Sequence, residues 1–207
     1  MIRRLAVAAT LLAAPLAAQA PAGWHMRLDR STSASDPDNT PDVKVMAMAG
    51  GFHVVGGPAA VLWKDDNKAT GNYTLSGRFM LNKPSGHNNY YGLVFGGANL
   101  ADSTQSYVYF LIGQNGTYIV KHRGGNTATH DVQGRTPHDA IKKPEGATGS
   151  SMNTLEVRVG GDKIDYYING TMVHSTPKAG YTARTDGIWG VRINHQLDVM
   201  VDQLVKK

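Results

Sequence analysis

Apolar and polar residues alternate with period two along most of the chain, the spacing that sends successive side chains to opposite faces of a β-strand. The clearest instance is Val157 to Ser175, VRVGGDKIDYYINGTMVHS. Val157 and Val159, then Ile164, Tyr166 and Ile168 share one parity, while Arg158, Asp165 and Tyr167 take the other. Gly161-Asp162 and Asn169-Gly170 interrupt the run, which predicts three short antiparallel strands joined by two tight turns. Asn-Gly suits a type I′ hairpin because both central residues need positive φ.

The same alternation predicts strands at Trp24 to Asp29, Val43 to Met48, Phe52 to Val55, Ala59 to Lys64 and Tyr73 to Leu81. Further strands follow at Tyr90 to Gly97, Ser106 to Ile112 and Thr117 to His122, the last two joined by a turn containing Gln114-Asn115-Gly116. Arg30 to Asp42 is a loop by composition. From Gly124 to Ser151 the pattern dissolves into Gly, Thr, Pro, His and Lys, with at most one helical turn near His138 to Lys142, and strands resume at Asn153. Gly187 to Ile193 and Leu197 to Val205 close the chain as a final hairpin. About a dozen strands and no long amphipathic helix predict an all-β fold of two packed antiparallel sheets, with an up-and-down barrel as the alternative. Near-continuous apolar runs such as Tyr107 to Ile112 favour the sandwich, whose central strands are covered on both faces.

Residues 1–20 read as an address rather than as part of that fold. Arg3 and Arg4 precede an apolar run from Leu5 to Leu16, and Ala18-Gln19-Ala20 is a small-x-small cleavage site before Pro21. This bacterial-type signal peptide predicts export to the periplasm or beyond, with residues 21–207 as one domain. No segment approaches the roughly 20 apolar residues of a membrane helix. The chain has no Cys, so it carries neither a lipid-anchoring Cys nor disulfides, and stability must come from a packed core. Losing Arg3 and Arg4 takes the formal charge from +5 to +3, and the remaining basic residues are scattered rather than arranged in the stripe that nucleic-acid binding requires. The 24 Gly residues suit a chain of many tight turns.

Five stretches carry a family resemblance: GFHVVGGPAAVLWKDDNKATGNYTLSGRF (Gly51 to Phe79), YYGLVFGG (Tyr90 to Gly97), YVYFLIGQNGTYIVKHR (Tyr107 to Arg123), NTLEVRVGGDKIDYYINGTMVH (Asn153 to His174) and GIWGVRINHQLDVMVDQL (Gly187 to Leu204). Together they resemble the concanavalin A-like lectin/glucanase superfamily. Within it they are most similar to laminin-G-like domains and to a bacterial secreted domain often labelled a 3-keto-disaccharide hydrolase domain. The resemblance implies a two-sheet antiparallel jelly-roll sandwich whose partner is a poly- or oligosaccharide. Three functions follow from it: a secreted carbohydrate-binding or carbohydrate-processing-associated module, a hydrolase of glycosides such as 3-keto sugars, and an envelope adhesion or structural module that binds protein.

Glycoside hydrolysis commonly uses two carboxyl groups flanking the scissile bond, and family-sixteen glycanases of this superfamily place them in an E-x-D-x-x-E strand. This chain has only two Glu, Glu145 and Glu156, and neither lies in that pattern. Glu156 is a catalytic candidate that could equally pair with Arg158 on an exposed face. The closing pair of strands offers Arg192, Asn194, His195, Asp198 and Asp202. Arg192 and Asn194 share the parity opposite Val191 and Ile193, so they point away from the core together and can hydrogen-bond sugar hydroxyls. His195 can act as acid or base near neutral pH, with Asp198 beside it in sequence. Among the aromatics, Tyr90 and Tyr167 are candidate stacking platforms for a sugar ring, and the polar loop His87-Asn88-Asn89 suits a groove rim, with Asn89 as a contact. His122, His130 and His138, with Asp131 and Asp139, are candidate metal ligands if the fold gathers them. Calcium would fit Asp36, Asp38 and Asn39, or Asp65, Asp66 and Asn67, whose hard oxygens are also ordinary turn formers.

Overall fold

The computed structural model describes residues 20–207 except 32, 34, 40, 41 and 147. All but Ala20 of the predicted signal segment lies outside the described residues. Fourteen strands appear among those described: β1 (His25–Asp29), β2 (Lys44–Met48), β3 (Gly51–Val55), β4 (Ala59–Ala69), β5 (Tyr73–Lys83), β6 (Tyr90–Ala98), β7 (Ser106–Gly113), β8 (Thr117–Gly124), β9 (Ala128–Pro137), β10 (Ser151–Val159), β11 (Lys163–Ile168), β12 (Thr171–Pro177), β13 (Gly187–Ile193) and β14 (Asp198–Lys206). They form two seven-stranded antiparallel sheets, β1-β4-β13-β6-β7-β8-β9 and β12-β11-β10-β5-β14-β3-β2. This is the expected jelly-roll sandwich. The described residues contain no helix long and apolar enough to cross a membrane.

The alternating positions do what their spacing predicts. Leu62, Leu93, Phe110 and Val191 from the first sheet meet Phe79, Leu155, Tyr166 and Val201 from the second in one buried cluster. Phe110 and Tyr166 sit with ring centroids 5.2 Å apart. Asn169 and Gly170 have φ of +50° and +83°, as a type I′ turn demands.

Two features depart from the sequence reading. Residues 128–137 form β9, paired with β8 at the sheet edge, where the sequence pattern predicts irregular chain. An edge strand with no fully buried side chain needs no apolar alternation, so its backbone pairing leaves no periodic trace. The single turn expected near His138 is present, closed by Ile141 N–H to His138 C=O at 3.1 Å. The last two strands are not a hairpin. β13 lies between β4 and β6, whereas β14 lies between β5 and β3 in the opposite sheet. Their connection, centred on His195 and Gln196, therefore crosses from one sheet to the other at an end of the sandwich.

The outward face of the first sheet is also apolar. Val61, Trp63, Val94, Tyr107, Tyr109, Leu111 and Ile119 form a second buried cluster there, on the parity opposite Leu62 and Phe110. Against it His25 stacks on Trp63 with centroids 5.6 Å apart.

Candidate functional site

Arg192 organises the polar part of this outward face. In register it stands opposite Val61 of β4 on one side and Gly92 of β6 on the other. Its guanidinium donates across β4 to Asp29, the last residue of β1, with Nη1 2.5 Å from Oδ2. Asp29 pairs with Ala59, and that short side chain leaves the path over β4 clear. Nη1 also donates to the Tyr107 hydroxyl at 2.9 Å and Nε to Asn194 Oδ1 at 3.0 Å, while the guanidinium lies 5.7 Å from the centroid of the Tyr109 ring.

The electrostatics of this bank are those of a largely dry ion pair. Burial pushes the Asp29 carboxyl up, but Arg192, with smaller contributions from Arg123 and Arg27, holds it below the usual carboxylate range. Burial would likewise depress the Arg192 guanidinium, and its Tyr107 and Asp29 neighbours more than offset that. Burial raises Tyr109 to about 12. Both tyrosines therefore stay neutral, and the guanidinium stays charged, at any physiological pH.

A cleft of about 280 Å³ opens over this bank, lined by Asp29, Arg192, Asn194, His195, Asp38 and Arg123 among others. Three connections build its rim. The β13–β14 connection carries His195, and its Gln196, at φ +62°, donates its N–H to Gly57 C=O at 3.0 Å. Gly57 is itself constrained, with φ +71° and a hypothetical Cβ only 2.2 Å from Val43 N. The loop between β1 and β2 contributes Asp36, Asp38 and Asn39 around a short 3₁₀ turn, Pro37–Asn39. Gln196 Nε2 donates to Pro37 C=O at 2.8 Å, tying this loop to the His195 turn. The β5–β6 loop brings His87, held by Ser85, whose N–H and C=O engage the Gln114 amide at 3.0 and 2.9 Å.

At the rim these loops converge. His195 Nε2 lies 3.1 Å from Asp38 Oδ2 and 2.9 Å from His87 Nε2. Partial burial pulls the His195 pKa down, and Asp38 opposes that only in part. Asn89 is buried beneath, with Nδ2 3.2 Å from His87 Nε2 and 3.0 Å from Ser85 Oγ.

Arg192, Asn194, His195 and Asn89 thus gather at one place, together with Asp36, Asp38 and Asn39. The other sequence candidates lie elsewhere. Tyr90 is buried in the aromatic cluster, its hydroxyl 2.8 Å from Thr117 Oγ1. Tyr167 is on β11 of the second sheet, under Arg158 at 4.0 Å. Glu156 accepts from Arg158 at 2.6 Å on that sheet's outward face, and Asp198 accepts from His53 and Asn82 at 2.6 and 2.8 Å. Asp202 pairs with Arg78. His122 and His130 stack with Tyr181, away from the cleft. Within the 30–42 loop, Asp36 Oδ1 accepts the Asp38 N–H at 2.9 Å and Asn39 Oδ1 the Ser31 N–H at 2.9 Å, so these two act as turn formers. Sequence reasoning missed Asp29 and Arg123. The parity of β1, with Met26 and Leu28 packed on the core, turns Asp29 outward, but its partner stands 163 residues away.

No protein-family profile matches the chain, and no curated protein does. Solved structures do. The carbohydrate binding module CBM66 of Bacillus subtilis superposes with a TM-score of 0.63 at 11% identity, over 89% of this chain and 95% of that one. The GH16 protein of the Bacteroides ovatus mixed linkage glucan PUL, in complex with product, gives 0.56 at 8% identity over 88% and 94%. The catalytic domain of an endo-1,3-beta-glucanase from Thermotoga petrophila gives 0.53 at 10% identity over 89% and 90%. By fold, the chain is a two-sheet antiparallel sandwich of the concanavalin A-like jelly-roll type.

Proposed function

We propose that the protein binds carbohydrate in the cleft over Arg192 and Asp29, as an exported binding or carbohydrate-processing-associated module. The carrying observation is the cross-bonded floor of Asp29, Arg192 and Asn194, whose side chains orient one another and leave no reorganisation to the moment of binding. Preorganised polar groups beside an apolar bed are what a ligand rich in hydroxyls requires. The volume lies at the lower edge of the roughly 300–1,000 Å³ typical of small-molecule sites, which fits a short stretch of sugar rather than a long chain. A carbohydrate binding module and two glucan-related proteins among the similar structures support the ligand class. The signal-type N-terminus would place this site outside the cytoplasm.

The test is a glycan array probed with the protein lacking residues 1–20, followed by calorimetry on the strongest ligand. Asn194→Ala and Arg123→Ala should each weaken binding by about tenfold, the value of about 1.4 kcal/mol for a lost polar contact, with unchanged far-ultraviolet circular dichroism. Failure to bind any glycan, or an affinity in both variants unchanged from the parent protein, would sink the reading.

A second reading, hydrolysis of a glycoside such as a 3-keto sugar, is favoured by one observation: the cleft holds His195 against Asp38 at 3.1 Å, a pair able to exchange a proton with a bound ligand. Product release from oligosaccharides and 3-keto-glycosides, followed by mass spectrometry and abolished in His195→Ala, would establish it.

A further inference from the structure

We infer that Asp38, His87 and His195 hold a divalent metal ion of the zinc class at the rim of the cleft. The three side chains come from three loops separated by 49 residues or more in sequence. Yet one ligand atom of each lies within 4.8 Å of the others. The separations are 2.9 Å for His87 Nε2 to His195 Nε2, 3.1 Å for His195 Nε2 to Asp38 Oδ2 and 3.9 Å for His87 Nε2 to Asp38 Oδ1. Ligands bound at about 2.0–2.1 Å in a tetrahedron stand roughly 3.3 Å apart; both contacts of His195 Nε2 lie a little inside that spacing, and Asp38 reaches His87 through its other oxygen at 3.9 Å.

Hydrogen bonding among the three groups accounts poorly for the arrangement. Two imidazole nitrogens at 2.9 Å need one N–H between them, and a neutral imidazole carries a single N–H. If His195 Nε2 donates to His87, Asp38 at 3.1 Å can only share that one proton; if it donates to Asp38 while His87 Nε2 accepts from Asn89, the two imidazole nitrogens face each other at 2.9 Å with no proton of their own between them. If His87 Nε2 donates, it turns that proton toward His195 while the Asn89 amide at 3.2 Å also presents N–H to it. One cation satisfies both imidazole lone pairs and the carboxylate together.

The donor set selects the ion. Two imidazoles and one carboxylate suit zinc and its first-row neighbours. Calcium prefers six to eight oxygens, whereas the cluster gathered among the described residues is two imidazoles and one carboxylate, Asp38, with Asp36 Oδ1 and Asn39 Oδ1 engaged in their own turn. Three protein ligands leave a fourth position free, the pattern of zinc sites that engage water or substrate. Asp38 and His195 also line the cleft, so that position faces the proposed sugar, where the ion would accept a hydroxyl oxygen. This last step rests on the sugar-binding reading, whereas the metal site rests on the three side chains alone.

The experiment uses the protein lacking residues 1–20, stripped with a chelator and dialysed. Zn²⁺ is then titrated by calorimetry, and Co²⁺ by visible absorption, where four-coordinate cobalt gives intense d–d bands. One equivalent should bind, and His87→Gln and Asp38→Asn should each weaken it at least tenfold. His25→Gln, which removes an exposed histidine paired with Asp65 at 2.9 Å, should leave it unchanged. His87 is half exposed, so its variant should melt with the metal-free protein, and Asp38→Asn supplies an independent check. Absence of a stoichiometric site, or binding that survives both substitutions, overturns the inference. Calorimetry with the strongest glycan from the array, on stripped and zinc-loaded protein, separates the two readings. Zinc bound without any glycan sinks only the sugar proposal, and glycan bound by a protein that takes no zinc sinks only the metal site.

Discussion

The outward faces of the two sheets carry ion pairs of almost identical length in opposite surroundings. Arg192 and Asp29 meet at 2.5 Å with side chains 12% and 11% exposed, whereas Arg158 and Glu156 meet at 2.6 Å with 52% and 28% exposed. The first pair is walled by Tyr107, Tyr109 and the β4 strand. The second stands in solvent on a face that also presents a cross-strand row of methionines, Met46, Met200, Met80 and Met152, with His53 between the first two. Contact distance therefore says little about consequence. A buried charge left alone is costly because water no longer solvates it, while an exposed pair only exchanges one hydrated arrangement for another.

The largest expected effect breaks the buried pair. Arg192→Met should cost about 3–5 kcal/mol in urea unfolding, because it removes the closest partner of the Asp29 carboxylate and leaves it only the longer Arg27 contact at 3.3 Å, and should abolish glycan binding. Adding Asp29→Leu should restore much of the stability and none of the binding. A double variant as unstable as the single one would show that packing, not the orphaned charge, sets the cost.

An intermediate effect comes from groups at the margins of the core. His122 and His174 both have pKa values lowered by burial, with His130 contributing to the first. The unfolded chain therefore binds more protons than the folded one once pH falls toward the ordinary histidine value of about 6.5. This contribution is intact at pH 8 and is lost progressively as the solution is acidified. The thermal midpoint should drop between pH 7.5 and 5.5, a range in which carboxylates remain ionised. His174→Gln should flatten that slope, and an unchanged slope would remove His174 as a cause.

Arg158→Ala should produce the smallest effect, a melting temperature indistinguishable from that of the parent protein. A clear loss would mean that the Arg158 stack on Tyr167 matters more than its exposure implies, and would blur the contrast between the two faces.

Much of the architecture is legible because strand formation and side-chain parity are local. Val191 and Ile193 inward with Arg192 and Asn194 outward follows from period two, and the Asn169-Gly170 turn follows from the φ those residues tolerate. Locality also explains the failures. β9 is defined by hydrogen bonds to β8 rather than by its own side chains, so nothing in its composition announces it. The turn at His195 looks like a hairpin because a short polar interval between two apolar runs has the same spacing whether the chain folds back in one sheet or steps across to the other.

The sequence by itself determined an all-β sandwich, the parity of most strands, the outward direction of Arg192 and Asn194, and the polar loops that form the rim. Only the tertiary structure decided that β13 and β14 lie in different sheets, that Arg192 finds Asp29 across 163 residues, and that His87 and Asp38 meet His195. The reason is physical: alternation constrains each residue relative to its neighbours in the chain. The juxtaposition of distant loops depends on strand order, which is set by burying all the apolar faces at once.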